Sequence, residues 1–135
     1  MKLDLKELIN KLLNTQPNDY VVEEGTSGVW TYRKWKSGLS ECWTTVNTST
    51  NFAVWTNPIY YGTTYSARQN FPTGLFIATP NEQVSMYAGG ADVWVGVDST
   101  NRVSSTQTGR YYPLRAGSGS TATFTTQFYD FGKWK

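Results

Sequence analysis

The spacing of apolar residues changes once along this chain. From residue 3 to residue 13 it is helical: Leu5, Leu8 and Leu12 recur at intervals of three and four, and Ile9 and Leu13 widen the stripe. Lys2, Asp4, Lys6, Glu7, Asn10 and Lys11 take the opposite face. Pro17 stops the helix, because it cannot continue one and pushes Gln16 towards extended geometry. A lone helix of about eleven residues is marginal in water, so the stripe must pack on its own sheet or on copies of itself. At the end of the sequence and followed by Pro17-Asn18-Asp19, it reads as an oligomerisation handle. Residues 1–16 form that handle, and Leu5, Leu8, Ile9, Leu12 and Leu13 are the expected seam of a short parallel bundle.

From Tyr20 onward the period is two. Trp30 and Tyr32 alternate with Thr31 and Arg33, and Leu39 to Val46 resumes the alternation beyond a Lys36-Ser37-Gly38 turn, which predicts a hairpin. Further strands are expected at Phe52 to Thr56, Ile59 to Ala67, Leu75 to Thr79 and Val84 to Ala88. Others are expected at Ala91 to Asp98, Arg102 to Thr108 and Thr121 to Tyr129. In the run Ala91 to Asp98, Val93, Val95 and Val97 share one face, and Asp92, Trp94 and Asp98 the other. In the last strand Ala122, Phe124, Thr126 and Phe128 oppose Thr123, Thr125, Gln127 and Tyr129. Eight to nine short strands with regular turn signals predict an all-β fold over residues 17–135, a sandwich or jelly-roll-like domain of antiparallel strands.

Composition sharpens this picture. Six Trp, nine Tyr and six Phe carry much of the burial, and 16% charged residues is low for a soluble domain. The mixture of aromatic residues and Thr favours half-buried strands. A net charge of +2 makes neither nucleic acid nor an anionic membrane a natural partner, and Arg33-Lys34-Lys36 reads as a solvated strand face. Met1 to Leu13 lacks the continuous apolar core of a signal peptide, and no run approaches the ~20 apolar residues of a membrane span. The expectation is a protein made in a cytoplasm without an export address and without membrane insertion.

Candidate chemistry is sparse. The chain has no His, which removes the usual general base, metal ligand and near-neutral switch, and with them Ser/His/Asp and Cys/His nucleophile systems. Cys42 is the single cysteine and reads as a buried thiol. Asp92 and Asp98 share a parity but lie about 20 Å apart on an extended strand, too far for a glycosidase pair. Glu41 shares a face with Leu39 and Trp43 and reads as an ion-pair partner of Arg33 or Lys34. No phosphate loop, calcium loop or metal site is present in the pattern, so no cofactor and no catalysis are expected. Binding is easier to support. Trp94 beside Asp92, with Tyr87 near, and Arg102 and Tyr111 in a crowded stretch with Arg110, Tyr112 and Arg115, offer stacking faces and directional hydrogen bonds for a sugar. The same rings could instead fill a second core layer or a subunit interface.

The stretch YVVEEGTSGVWTYRKWKSGLSECW, Tyr20 to Trp43, resembles a V-E-x-G-T-x-G-x-W-x-Y-R-K-W-x-x-G-x-x-E-C-W run of small tail-fibre and minor structural proteins of phages and prophages of Gram-positive bacteria. The ending Phe131-Gly132-Lys133-Trp134-Lys135 is similar to their G-[RK]-W-K terminus. The resemblance implies a virion protein, a homotrimer that joins other tail proteins and attaches to host-surface polysaccharide or protein. It assigns no receptor site, and the Trp30 to Trp43 set reads as a packing element. A stand-alone lectin-like or bacteriocin-type module is the alternative, and a glycan-degrading enzyme with a site between subunits is a third.

Overall fold

The computed structural model describes residues 4–14, 19–89, 92–117 and 119–135, with the backbone alone at 12–14. Helix α1 spans Leu5–Asn14, and Asp4 caps it by accepting the Glu7 amide at 2.8 Å. Eight strands follow: β1 (Val21–Ser27), β2 (Trp30–Trp35), β3 (Leu39–Thr56), β4 (Ile59–Gly62), β5 (Asn81–Ala88), β6 (Trp94–Val97), β7 (Tyr111–Ala116) and β8 (Thr121–Lys133). Every pairing is antiparallel. The domain is all-β behind a short helix.

β3 organises the body. Its first half pairs with β2, and it pairs with β8 from Leu39↔Lys133 to Asn51↔Thr121. Its last residues pair with β4 instead, from Phe52↔Gly62. One sheet therefore runs β1-β2-β3-β8-β5 and the other β3-β4-β7-β6, with β3 common to both. Trp30, Cys42 and Phe128 from the first sheet meet Tyr111 from the second, and Phe71, Leu75 and Phe76 from the segment between β4 and β5 complete the core. Trp30 is the anchor. It is 2% exposed, packs on Phe71 and Phe128 with ring centroids 5.4 and 6.4 Å away, and donates from Nε1 to the Asn70 carbonyl at 2.7 Å. Burying a large apolar side chain of this kind contributes roughly 1.5–3 kcal/mol.

The β2–β3 hairpin forms as the turn residues require. Gly38 takes φ +98°, a left-handed value that favours glycine, and its amide donates to the Trp35 carbonyl at 3.0 Å. Asp19 holds the turn by accepting both the amide (2.9 Å) and the hydroxyl (2.7 Å) of Ser37.

Several elements differ from the sequence expectation. Leu39 to Val46 and Phe52 to Thr56 are one continuous strand, because the intervening Asn47 to Asn51 pair with β8 despite their turn-like composition. The strand expected at Leu75 to Thr79 is a loop, in which Leu75 and Phe76 plug the core rather than alternate. The strand expected at Arg102 to Thr108 is also a loop. The strand pairing there lies at Tyr111–Ala116, where Pro113 is accommodated. β4 stops at Gly62 rather than reaching Ala67, and β6 begins at Trp94 rather than Ala91. Val95 packs on the core as expected, but Val97 is 59% exposed.

The helix leaves its stripe uncovered by the rest of the chain. Residues 4–11 are all exposed, Leu5 at 73% and Leu8 and Ile9 at 46% each. The side chains of Leu12 and Leu13 lie outside the described residues.

Candidate functional site

The outer face of the second sheet carries a shelf of aromatic rings. Antiparallel register puts Ala53, Tyr61, Leu114 and Trp94 in one row across β3, β4, β7 and β6. The next row brings Tyr112 onto Gly96. A Cβ at Gly96 would fall 2.3 Å from the Tyr112 ring, so only glycine lets that ring lie down on β6. Tyr112 then stacks on Tyr65 at 4.7 Å between centroids and 25° between planes, and meets Tyr61 edge-on at 6.5 Å and 83°. Trp55 sits at a bulge in the β3–β4 pairing and is 62% exposed. It lines, with Val54, Tyr61, Tyr65 and Tyr112, a groove of about 340 Å³.

Tyr61 and Tyr65 are shared with a wider cleft of about 690 Å³, walled by Thr63, Thr64, Arg68, Asn101 and Arg110. Arg110 lies over the Tyr65 ring, 4.9 Å from its centroid. Its Nε and Nη2 both reach Asp98 Oδ2, at 2.7 and 2.5 Å. Asp98 also accepts from the Thr100 hydroxyl (2.7 Å) and amide (3.1 Å) and from Asn101 Nδ2 (2.8 Å). These bonds, those of Thr100 and Asn101 foremost, hold its carboxyl well below the usual carboxylate range. The acid is thus the fixed anchor of the 98–101 turn and of Arg110. Arg68 donates from Nε to the Thr108 carbonyl and from Nη2 to the Arg102 carbonyl, both at 2.8 Å, and ties two loops together at the cleft wall.

The residues singled out from the sequence divide three ways. Trp94 is 55% exposed and extends the shelf, two strands or about 10 Å from Tyr61. Asp92 is exposed just before the same strand. Tyr87 is exposed on β5, where it pairs with Thr125 in the first sheet, so it belongs to a different face from Trp94. Arg102 is exposed, and its carbonyl holds Arg68. Tyr111 is a correction. Its ring is in the core and its hydroxyl donates to Glu82 Oε1, so it offers no stacking face to a ligand. Sequence reading missed Trp55, Tyr61, Tyr65 and Arg68. The available signal was Gly96 inside a strand pattern, which marks close approach by a neighbour.

Other acids are engaged in structural bonds. Glu41 takes Arg33 Nη1 at 3.5 Å, as the hairpin spacing implied, and also accepts the Tyr129 hydroxyl. Cys42 is fully buried, and desolvation pushes its thiol far up. Among the described residues no three His, Cys, Asp or Glu side chains cluster as metal ligands, and no helix is long and apolar enough to cross a membrane.

No protein-family model matches the chain, and no curated protein matches it. Two solved structures share its fold. One is an N-truncated R1-type pyocin tail fibre, matched with a TM-score of 0.52 at 15% identity over 98% of this chain and 99% of the other. The other is a C-terminal segment of the P. aeruginosa R1 pyocin fibre, with a TM-score of 0.52 at 17% identity over 97% of this chain and 32% of that one. The all-β architecture of this chain is therefore similar to that of pyocin tail fibres from end to end.

Proposed function

We propose that the chain is a tail-fibre module of a phage or phage-like particle that binds host-surface polysaccharide, and that it acts as a homotrimer among other tail proteins in a virion. The observation that carries the binding half is a shelf on which the exposed Trp55 and Trp94 flank the half-buried Tyr61, Tyr65 and Tyr112 beside a polar cleft. Sugar rings stack their apolar faces on such rings, and their hydroxyls take directional bonds from flanking polar groups. The fold likeness to pyocin fibres supports the setting. So does the likeness of Tyr20 to Trp43 to the tail-protein motif of Gram-positive phages and prophages. A role as binder rather than enzyme is supported by the acids near the faces of the sheets, since Asp98 and Glu41 are held by Arg110 and Arg33.

Self-association is supported by the helix. Leu5, Leu8 and Ile9 form an apolar stripe that the rest of the chain leaves exposed. Three copies in a parallel bundle would cover it. Light scattering on the purified chain tests this half, with a mass near three chains expected and a clean monomer against it. Leu8→Asp with Leu12→Asp should dissociate the assembly. For the binding half, whole-cell pull-down onto the susceptible host should succeed with the wild type and drop several-fold to about tenfold with Tyr65→Ala, one lost aromatic contact being worth about 0.5–1.5 kcal/mol. Equal retention by both proteins would refute the site.

A further inference from the structure

The cleft beside the shelf carries an uncompensated positive charge. Arg110 is neutralised by Asp98, whose single oxygen takes both of its contacts. Arg68 has no carboxylate partner among the described residues. It donates to the backbone carbonyls of Thr108 and Arg102. A guanidinium has five N–H donors, so about three remain for a ligand. Those two carbonyls already fix its rotamer, so little entropy is left to lose on binding. Among the described residues no acidic side chain lines the cleft.

That balance selects among glycans. A neutral sugar offers mainly hydroxyls, and sites that hold them supply acceptors, above all carboxylates. Here the one nearby carboxylate is saturated by Thr100, Asn101 and Arg110. The charged groups on the wall, Arg68 and Arg110, only donate, and Arg68 suits a ligand that brings its own anionic oxygens.

We infer that the cleft takes an anionic glycan, one whose repeating unit carries a phosphate or a carboxylate, with Arg68 as its counter-charge and Tyr61 and Tyr65 at its border with the Trp55 groove. This rests on the reading of the same face as the glycan-binding face. The anionic oxygens meet the remaining N–H groups of Arg68, and the adjoining sugar ring passes the edge of Tyr65 into the groove against the exposed Trp55.

Calorimetric titration of the full chain with three probes tests the inference: a phosphodiester-linked polysaccharide, a uronic-acid polysaccharide and neutral dextran. The two anionic probes should bind at low salt and weaken several-fold at about 0.5 M salt, where screening acts within about 4 Å, and dextran should not bind. The tighter anionic probe identifies phosphate or carboxylate as the source of the charge. Arg68→Gln should lose at least about tenfold in anion affinity, because it removes a charge-assisted pair. Arg68→Lys keeps the charge and should keep the preference for anionic over neutral probes, which separates the charge from the loop tie. Dextran binding as tightly as the polyanions, or affinity indifferent to salt, overturns the anionic assignment while leaving the glycan-binding reading intact. Failure of all three probes to bind, or wild-type affinity in Tyr65→Ala, overturns both.

Discussion

Asp130 on β8 and Glu82 on β5 are cross-strand partners that face each other inside the protein. Asp130 is fully buried, no N–H or O–H donor of another residue reaches either of its oxygens, and Glu82 lies against it. Tyr111 and the Gly109 amide (2.9 Å) both donate to Oε1 of Glu82, and Cys42 is the partner of Asp130 on β3. Burial disfavours the charged form of Asp130, and its retained proton lets it hydrogen-bond to Glu82. Desolvation first, then Glu82, pushes the Asp130 carboxyl far above the usual carboxylate range.

The sign of the pH dependence follows from that shift. Folded Asp130 keeps a proton that the unfolded chain releases near the ordinary Asp value of 3.8. The contribution is therefore whole below that pH and is lost as pH rises towards the elevated folded value. Denaturant midpoints should fall steadily from about pH 5 to about pH 9, at up to about 1.4 kcal/mol per pH unit for one proton. Asp130→Asn keeps a donor to Glu82 without the titration and should flatten the profile. An unchanged slope in that variant would show that the proton is not held there.

Gly96 is the hinge of the aromatic shelf, since the Tyr112 ring occupies the space of the Cβ it lacks. Gly96→Ala must lift that ring, and with it the stack on Tyr65. The expected result is destabilisation of about 1–3 kcal/mol, the usual cost of overpacking, together with weakened glycan binding. Tyr112→Ala should relieve the strain, so that the double variant is less destabilised than the two single costs added. Additive costs in the thermal-denaturation cycle would show that the two residues do not meet.

The Tyr20 to Trp43 stretch and the C-terminal residues form one structural unit. The Trp134 amide donates to the Gly38 carbonyl and its Nε1 to the Trp35 carbonyl, both at 2.9 Å, while Lys34 lies over its ring at 5.2 Å. The C-terminal residues thus lock the hairpin turn from outside. Removing Trp134 and Lys135 should cost about 1–3 kcal/mol and raise amide exchange in β2 more than in β6. Exchange that changes in neither strand would mean that the lock contributes nothing.

How much of this was legible depended on whether the signal was local. The helix, the Gly38 hairpin and the inward face of β8 come from periodicity and turn chemistry, which act within a few residues. Leu75 and Phe76 misled, because a short apolar run reads the same whether it alternates in a strand or plugs a core from a loop. Tyr111 misled for a related reason, since its neighbours Arg110 and Tyr112 do face outward and a β-strand reverses direction at each residue. The site itself depended on register between β4, β7 and β6, which no single segment encodes. Trp94 was visible alone, whereas Tyr61 and Tyr65 acquire meaning only from the strands placed beside them.

Trp94 and Tyr87 offer a test of which face binds. Both are more than half exposed, but they stand on different sheets, Trp94 in the row of Tyr61 and Tyr87 opposite Thr125. Trp94→Ala removes a large ring from the extended shelf and should weaken binding on a glycan array by several-fold to about tenfold, in line with about 1 kcal/mol for an exposed aromatic contact. Tyr87→Ala should leave the array pattern as it is. Neither ring packs in the core, so both variants should melt within a few degrees of the wild type. A loss confined to Tyr87→Ala would move the binding face to the first sheet, where Ser85, Gln127 and Thr45 line up beside it across β5, β8 and β3.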